Sequence, residues 1–177
     1  MVGVTIRPDW WQDVQLEVLL QRLEKANCES IELHYTRDFP ATVRKVLEHG
    51  FNLTIHAPTA DDFNGALFRQ NQGAVMDAYG QFLDQMQEIA VEAHQDILIN
   101  FHGGQGEEGS LHDDVLAAGK EFVHWLGGII HREYPNLLGA LEMLPHDPAW
   151  HRIGDNQEEL LCVTHGLDLD RFGLGWD

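Results

Sequence analysis

Hydrophobic residues along this chain follow two alternating patterns. Six short apolar runs are typical of buried β-strands, and between most of them apolar residues recur at helical spacing, most clearly over 75–93 and 115–130. The predicted strands are 2–6, 30–34, 52–56, 96–102, 137–142 and 172–176. Strands that alternate with helices favour a parallel sheet covered by helices, which is an α/β fold. Periodicity leaves open whether the sheet curves into a barrel or stays an open doubly wound sheet.

Two positions predict helix ends. Gly50 follows the apolar helical positions of 43–47, where a helix C-terminus favours a left-handed residue. Asp155 precedes a helical pattern through 160–161, with Glu158 three residues on, and this spacing predicts a capping box with Asp155 as the N-cap.

Four predicted strands end on, or run directly into, a residue that can bind a metal ion: His56, His102, Glu142 and Asp177. In a parallel barrel the carboxyl ends of all strands meet on one face, which carries the active site. Two imidazoles and two carboxylates suit Mn²⁺, Co²⁺ or Zn²⁺, with Mg²⁺ as a further candidate, better than Ca²⁺. The alternatives are a hydrogen-bonded core histidine at His56 and a salt bridge at Glu142, since a buried carboxylate needs a partner.

Further polar and aromatic residues lie where they could contact a substrate. Glu32 and His34 are two residues apart on the second predicted strand, so they point the same way; inward they join the site, and outward they pair with a helix. Asp62 and Asn64 lie on the loop after the third strand, where they could bind a hydroxylated substrate. Trp10 follows the first strand and could line the mouth of a pocket.

Two glycine motifs suggest other functions and are set aside. Residues 104–109 match the dinucleotide-binding pattern G-x-G-x-x-G, but Glu107 and Glu108 would repel a pyrophosphate, so a glycine-rich loop is favoured. His102 followed by two glycines resembles a hydrolase oxyanion loop, yet neither of the two serines lies in the Gly-x-Ser-x-Gly motif which that class needs.

Composition narrows the classes of partner. The chain has 177 residues with 11 basic and 29 acidic side chains, a formal charge of −18, which argues against nucleic-acid binding. No apolar stretch reaches the roughly 20 residues of a membrane span. The absence of a signal-peptide pattern and the presence of only two cysteines predict a cytoplasmic protein. The length fits one domain, 1–177, but is short of the about 250 residues of a complete eight-fold barrel.

The order and spacing of several short motifs resembles the xylose isomerase-like TIM-barrel superfamily, which holds sugar isomerases and epimerases and endonuclease IV. The motifs lie at 56–58, 62–64, 99–103, 141–142 and 175–177. The resemblance implies a divalent metal at the carboxyl rim of a (β/α) barrel, bound by the four strand-end residues named above, with Glu142 also acting as a base. Family members continue beyond the sixth strand with further ligands, so we expect an incomplete barrel of about six β/α units.

The resemblance and the charge together favour a metal-dependent sugar or sugar-phosphate isomerase or epimerase, either a fragment or a degenerate member. Its partner would be a small polyhydroxylated substrate. The alternatives are a metal-dependent phosphodiesterase of the endonuclease IV type and a non-catalytic binding module. An incomplete barrel has open sheet edges, which predicts that the chain forms a homo-oligomer.

Overall fold

Within the residues that the structure describes, six β-strands alternate with five α-helices. The computed structural model describes residues 3–6, 13–35, 39–59, 61–147, 149–167 and 170–175. The strands are β1 (Gly3–Ile6), β2 (Ser30–His34), β3 (Asn52–His56), β4 (Ile97–Phe101), β5 (Leu137–Glu142) and β6 (Phe172–Gly175). The helices are α1 (Asp13–Lys25), α2 (Phe39–Glu48), α3 (Gln72–Ala93), α4 (His112–Glu133) and α5 (Gln157–Thr164).

The strands form one sheet in sequence order, and every neighbouring pair is parallel. The predicted α/β architecture is therefore confirmed. The register sets His34 beside His56, and His56 beside Asn100. Because all carboxyl ends lie on one edge, residues at the ends of β2 to β5 reach the same side of the sheet.

The two faces of the sheet differ in burial. Ile31 and Leu33 of β2 are fully buried and belong to the core formed with the helices. Glu32 and His34 alternate with them and are only half-buried, as is Asn100 on β4. Alternation along the strand therefore places these polar side chains together on the face turned away from the helices.

None of the helices in the described ranges is long and apolar enough to cross a membrane.

The structure adjusts several predicted boundaries. Strand β4 ends at Phe101, so His102 is the first residue after the strand rather than its last. Gly50 has the expected left-handed conformation, with φ of 79°. In the described sheet β1 and β6 each have one neighbouring strand, and the homo-oligomer stays a prediction.

The predicted cap of α5 is wrong by one residue. Asn156, not Asp155, is the N-cap, because its backbone is extended and its side chain accepts a hydrogen bond from the N–H of Glu159 at 2.9 Å. The Asp155 carboxylate is used elsewhere, since it lies 2.8 Å from Nδ1 of His146 and accepts a hydrogen bond from the Asn156 side chain.

Helices α1 and α2 are linked through His49, and this contact predicts a pH-dependent stability. The His49 ring lies 2.7 Å from a Glu24 carboxylate oxygen and 3.3 Å from one of Glu17. The hydrogen bond to Glu24 raises the pKa of His49, burial opposes the shift, and Glu17 adds to it. The stabilisation is thus fully present below the unfolded pKa of about 6.5 and is lost as pH rises through the folded pKa.

We expect His49→Gln to lower the melting temperature by about 1–3 °C at pH 6, since a partly exposed ion pair contributes about 0.2–1 kcal/mol. At pH 9 the pH-dependent part of this difference should vanish. Thermal unfolding of both proteins across this pH range measures it. A difference that is the same at every pH would show that the ion pairs contribute nothing.

Candidate metal centre

Three side chains from neighbouring strand ends converge at the carboxyl edge of the sheet. His56 ends β3, His102 follows β4 and Glu142 ends β5. Oε2 of Glu142 lies 3.5 Å from Nε2 of His56 and 3.3 Å from Nε2 of His102. One potential ligand atom from each residue lies within 4.8 Å of the other two, so the group could hold a metal ion.

The hydrogen bonding of His56 prepares its outer nitrogen to bind a cation. Nδ1 of His56 lies 2.9 Å from the carbonyl oxygen of Ala57, which can only accept, so Nδ1 carries the proton and donates it. Nε2, the nitrogen that faces Glu142, then bears a lone pair in the neutral ring. The adjacent His102 ring packs edge-on against His56, with ring centroids 4.7 Å apart.

The buried oxygen of Glu142 faces these nitrogens without a hydrogen bond. Oε2 is buried and has no hydrogen-bond partner within the described residues. Interaction with the His102 side chain is the largest influence on the pKa of Glu142 and lowers it from its ordinary value; burial opposes the shift, and charge on His102, His56 and His34 adds to it. Glu142 is therefore an anion at neutral pH, stabilised by the neighbouring imidazoles. A bound cation would give its buried Oε2 the direct partner that no hydrogen bond within the described residues supplies.

The spacing of these atoms fits a bound cation. Two ligand atoms at about 2.1 Å from a tetrahedral ion stand about 3.4 Å apart. The two distances to Oε2, 3.3 and 3.5 Å, match this separation. A cation bound by Oε2 and the two Nε2 atoms would satisfy the orphaned carboxylate oxygen, so the donor set fits the predicted metal.

Glu32 and His34 lie beside this group, as the inward alternative predicted. The His34 ring stacks on His56 with centroids 4.2 Å apart and an angle of 12° between the planes. Nε2 of His34 lies 3.9 Å from Oε1 of Glu32, and the Asn100 side chain donates a hydrogen bond to Oε2 of Glu32 at 3.1 Å. Strand β2 therefore adds a second carboxylate and a third imidazole next to the cation site.

A cleft of about 950 Å³ lies above the carboxyl edge of the sheet, and its floor is formed by Glu32, His34, His56, His102 and Glu142. Its walls come from the loops that follow β3, β4 and β5. Among the lining residues outside the floor are Phe63, Asn64, Leu67, Gln105, Glu107, Leu144, Pro145, Trp150 and Arg152. Asp62, in contrast, is exposed on a short 3₁₀-helix (Asp61–Phe63) and does not line the cleft.

Asn64 lines the cleft, but it also holds two loops together. Its side-chain oxygen accepts from the N–H groups of Ala66 and Gln105, at 3.1 and 2.9 Å, and its amide donates to the carbonyl oxygen of Gln105 at 2.8 Å. Asn64 therefore fixes the loop after β3 against the loop after β4. Its predicted part in substrate binding stays a prediction.

The glycine-rich loop packs against neighbouring protein rather than leaving its backbone open. Gly104 has φ of 115°, and a Cβ there would lie 2.3 Å from the backbone nitrogen of Ala66. The backbone N–H of Gly106 donates to the carbonyl oxygen of His151 at 2.8 Å. The close approach of Ala66 accounts for the glycine at 104, and the Gly106 bond ties this loop to the loop after β5.

Sequence reasoning missed the residues that the loop after β5 contributes. Gln105 and Arg152 form an isolated antiparallel bridge, and Trp150 and Arg152 line the cleft. The one signal in the sequence was their place in the long loop after the metal-type residue Glu142. Two predicted site residues, Asp177 and Trp10, lie outside the described residues.

No protein-family model matches the sequence, and no curated protein matches it. Several solved structures, however, match the fold of this chain. A D-tagatose 3-epimerase-like protein aligns with a TM-score of 0.65 and 15% identity, over 98% of this chain and 64% of that one. A D-psicose 3-epimerase in the presence of D-fructose aligns with a TM-score of 0.63 and 14% identity, over 100% of this chain and 63% of that one.

Endonuclease IV from Thermus thermophilus aligns with a TM-score of 0.51 and 13% identity, over 98% of this chain and 61% of that one. The chain thus spans less than two thirds of the length of each of these structures. At such low identity the likeness shows the fold alone: the chain shares the arrangement of strands and helices of these epimerases and of this endonuclease.

Proposed function

We propose that this chain carries the metal site of a divalent-metal-dependent isomerase or epimerase that acts on a small sugar or sugar phosphate. The observation that carries the proposal is the orphaned Oε2 of Glu142, set 3.3 and 3.5 Å from two imidazole nitrogens at the floor of the cleft. The fold shared with two sugar 3-epimerases supports the choice of substrate class.

His56, His102 and Glu142 would bind the cation, with Asp177 as the proposed fourth ligand. The donor set suits Mn²⁺, Co²⁺ or Zn²⁺, with Mg²⁺ also compatible. When bound, the cation would polarise a substrate carbonyl and so acidify the neighbouring C–H group. Glu142 would accept the proton from that carbon through its second carboxylate oxygen, as a general base.

The side chains around the cation would orient the substrate. Glu32 and His34 lie on the floor of the cleft, where they would contact its hydroxyl groups. Asn64 would help to hold the rim, and Trp10 remains a proposed contact, whereas Asp62, which lies outside the cleft, would need to approach from the loop after β3. Asn100 fixes the Glu32 carboxylate by a hydrogen bond of 3.1 Å, which would keep its other oxygen in a constant direction.

Deuterium exchange tests the proposed chemistry even when the product is not identified. The metal-loaded protein is incubated in D₂O with D-fructose and, separately, with D-fructose 6-phosphate, and the sugar is analysed by mass spectrometry. Breaking the C–H bond passes the proton to Glu142, and return of a deuteron from solvent adds one mass unit. We expect exchange with at least one of the two sugars, abolished by a chelator and by Glu142→Gln.

A second function, phosphodiester cleavage, is favoured by the pair of histidines beside the carboxylate and by the fold shared with an endonuclease IV. The formal charge of −18 opposes it, because phosphate backbones are bound by basic surfaces. Nicking of an oligonucleotide that contains an abasic site, without deuterium exchange in either sugar, would replace the first proposal by this one. If the protein binds metal but shows neither deuterium exchange nor nicking, the result would indicate a non-catalytic binding module.

A further inference from the structure

A second carboxylate reaches toward the cation site from the direction opposite to Glu142. Glu32 starts on β2, and its Oε2 accepts a hydrogen bond at 3.1 Å from the side chain of Asn100 on β4. Its side chain therefore crosses β3, which lies between those two strands. Glu142 starts on β5 and crosses β4 in the other direction, since its Oε2 lies 3.5 Å from Nε2 of His56 on β3. The two carboxylates thus approach the same part of the sheet from its two sides.

The imidazole rings lie between these two carboxylates. Nε2 of His34 lies 3.9 Å from Oε1 of Glu32, and the His34 ring stacks on His56 with centroids 4.2 Å apart. His56 and His102 in turn face Oε2 of Glu142 at 3.5 and 3.3 Å. A substrate held at the cation site, above His56 and His102, would therefore have Glu32 on one side and Glu142 on the other.

Glu32 differs from the other carboxylates near the cleft in burial and support. Its side chain is only 27% exposed, and the hydrogen bond from Asn100 fixes one of its oxygens. Glu107 lines the cleft but is exposed on the loop after β4, and Asp62 does not line it. Glu32 also lies outside the three-residue group that could hold the cation. A positioned carboxylate that is not a metal ligand is suited to transfer a proton.

We propose that Glu32 is the second proton-transfer group of this site and acts on the face of the substrate carbon opposite to Glu142. Inverting a carbon requires that a proton leave one face and another arrive at the other face, which one fixed carboxylate cannot do. In one direction Glu142 takes the proton, the electron pair of the C–H bond passes into the adjoining carbonyl group, and the carboxyl group of Glu32 delivers a proton to the opposite face. In the reverse direction the two roles are exchanged.

Protons balance over this cycle without a co-reactant. When the carbon has been inverted, Glu142 has gained one proton and Glu32 has lost one, so the sugar keeps its composition. Exchange with water restores the starting state, since the side chains of Glu32 and Glu142 are 27% and 14% exposed. The inference rests on the proposed function and deepens it by assigning the group that completes the inversion.

Isotope exchange with the two epimers of one sugar separates this role from substrate binding alone. Metal-loaded Glu32→Gln is incubated in D₂O with D-fructose and, separately, with its C3 epimer D-psicose, or with their 6-phosphates if the wild type accepts only these. We expect interconversion of the epimers to fall by about 100-fold or more. The epimer whose C–H group faces Glu142 should still gain a deuteron with its configuration retained, and the other epimer should not.

Glu32→Asp and Glu107→Gln are the matched controls. Glu32→Asp keeps the carboxyl group on a shorter side chain, so it should restore part of the interconversion, and Glu107→Gln should interconvert the epimers as the wild type does. Calorimetric titration with Mn²⁺ should give an affinity within about ten-fold of the wild type in all three variants, because neither Glu32 nor Glu107 belongs to the three-residue group.

Three results would overturn the inference while the proposed function stands. They are interconversion at the wild-type rate in Glu32→Gln, loss of exchange in both epimers with metal affinity kept, and a wild type that exchanges a sugar without forming its epimer. If Glu32→Gln does not fold, a wild-type ratio of interconversion to exchange in Glu32→Asp would count against it equally. A wild type that binds no divalent cation, or exchanges no sugar, would overturn the proposed function together with the inference.

Discussion

Replacing Glu142 by glutamine is expected to weaken divalent-cation binding by about 100-fold or more, since even changes outside the ligand shell cost about 10–100-fold. Glutamine keeps the shape of the side chain but removes the negative charge that faces His56 and His102. Calorimetric titration of the chelator-treated protein with Mn²⁺, Co²⁺ and Zn²⁺ measures the loss. Glu107→Gln is the matched control, because Glu107 is an exposed carboxylate that lines the same cleft but lies outside the three-residue group.

The same variant separates binding from folding. In the metal-free protein, the fold lowers the pKa of Glu142, so the ionised carboxylate contributes to stability at neutral pH. The glutamine amide can donate a hydrogen bond to an imidazole lone pair, which offsets part of this loss, and we expect metal-free Glu142→Gln to be folded but slightly less stable than metal-free wild type. Metal should stabilise the wild type by about 2.7 kcal/mol at a free concentration 100 times its Kd, and a variant that binds 100-fold more weakly by only about 0.4 kcal/mol. Equal metal affinities in Glu142→Gln and Glu107→Gln would show that the cation binds elsewhere.

Gly104→Ala is expected to be the most damaging single substitution in the rim of the cleft, at about 3 kcal/mol, from backbone strain and overpacking together. Its φ of 115° is unfavourable for alanine, and the added methyl group would lie 2.3 Å from the backbone nitrogen of Ala66 and 2.6 Å from Oδ1 of Asn64. A backbone atom cannot move away by rotating, as a flexible side chain can. The loop after β3 and the loop after β4 would therefore have to separate.

Gly109→Ala isolates the backbone part of this cost. Gly109 also has a positive φ, 83°, but a Cβ there would have no neighbour within 4 Å. We expect it to lose about 1 kcal/mol from strain alone. Urea unfolding of both variants gives the comparison, and similar losses would show that the loops after β3 and β4 part without cost.

Much of the fold and the centre of the site followed from the sequence because both depend on short periodic patterns. Apolar runs alternating with helical spacing determine a parallel sheet, and a parallel sheet brings residues such as His56 and Glu142 to one edge. Strand alternation also predicted that Glu32 and His34 lie on the same face of β2. It could not predict which face that is, because the sequence does not distinguish the side that faces the helices from the side that faces the cleft.

The walls of the cleft could not be predicted in this way. The bridge between Gln105 and Arg152 joins two loops 47 residues apart, and no periodic pattern marks such a pairing. The cap of α5 failed for a local reason, because Asp155 and Asn156 are both good N-cap residues and only the backbone conformation decides between them.

Anomalous diffraction from a crystal soaked in Mn²⁺ or Zn²⁺ tests the metal site most directly. We predict one strong peak about 2.0–2.2 Å from Nε2 of His56, Nε2 of His102 and a carboxylate oxygen of Glu142. That peak should be absent from crystals of Glu142→Gln. A fully soaked wild-type crystal with no peak among these three side chains, or with peaks only at surface carboxylates, would contradict the proposed metal site.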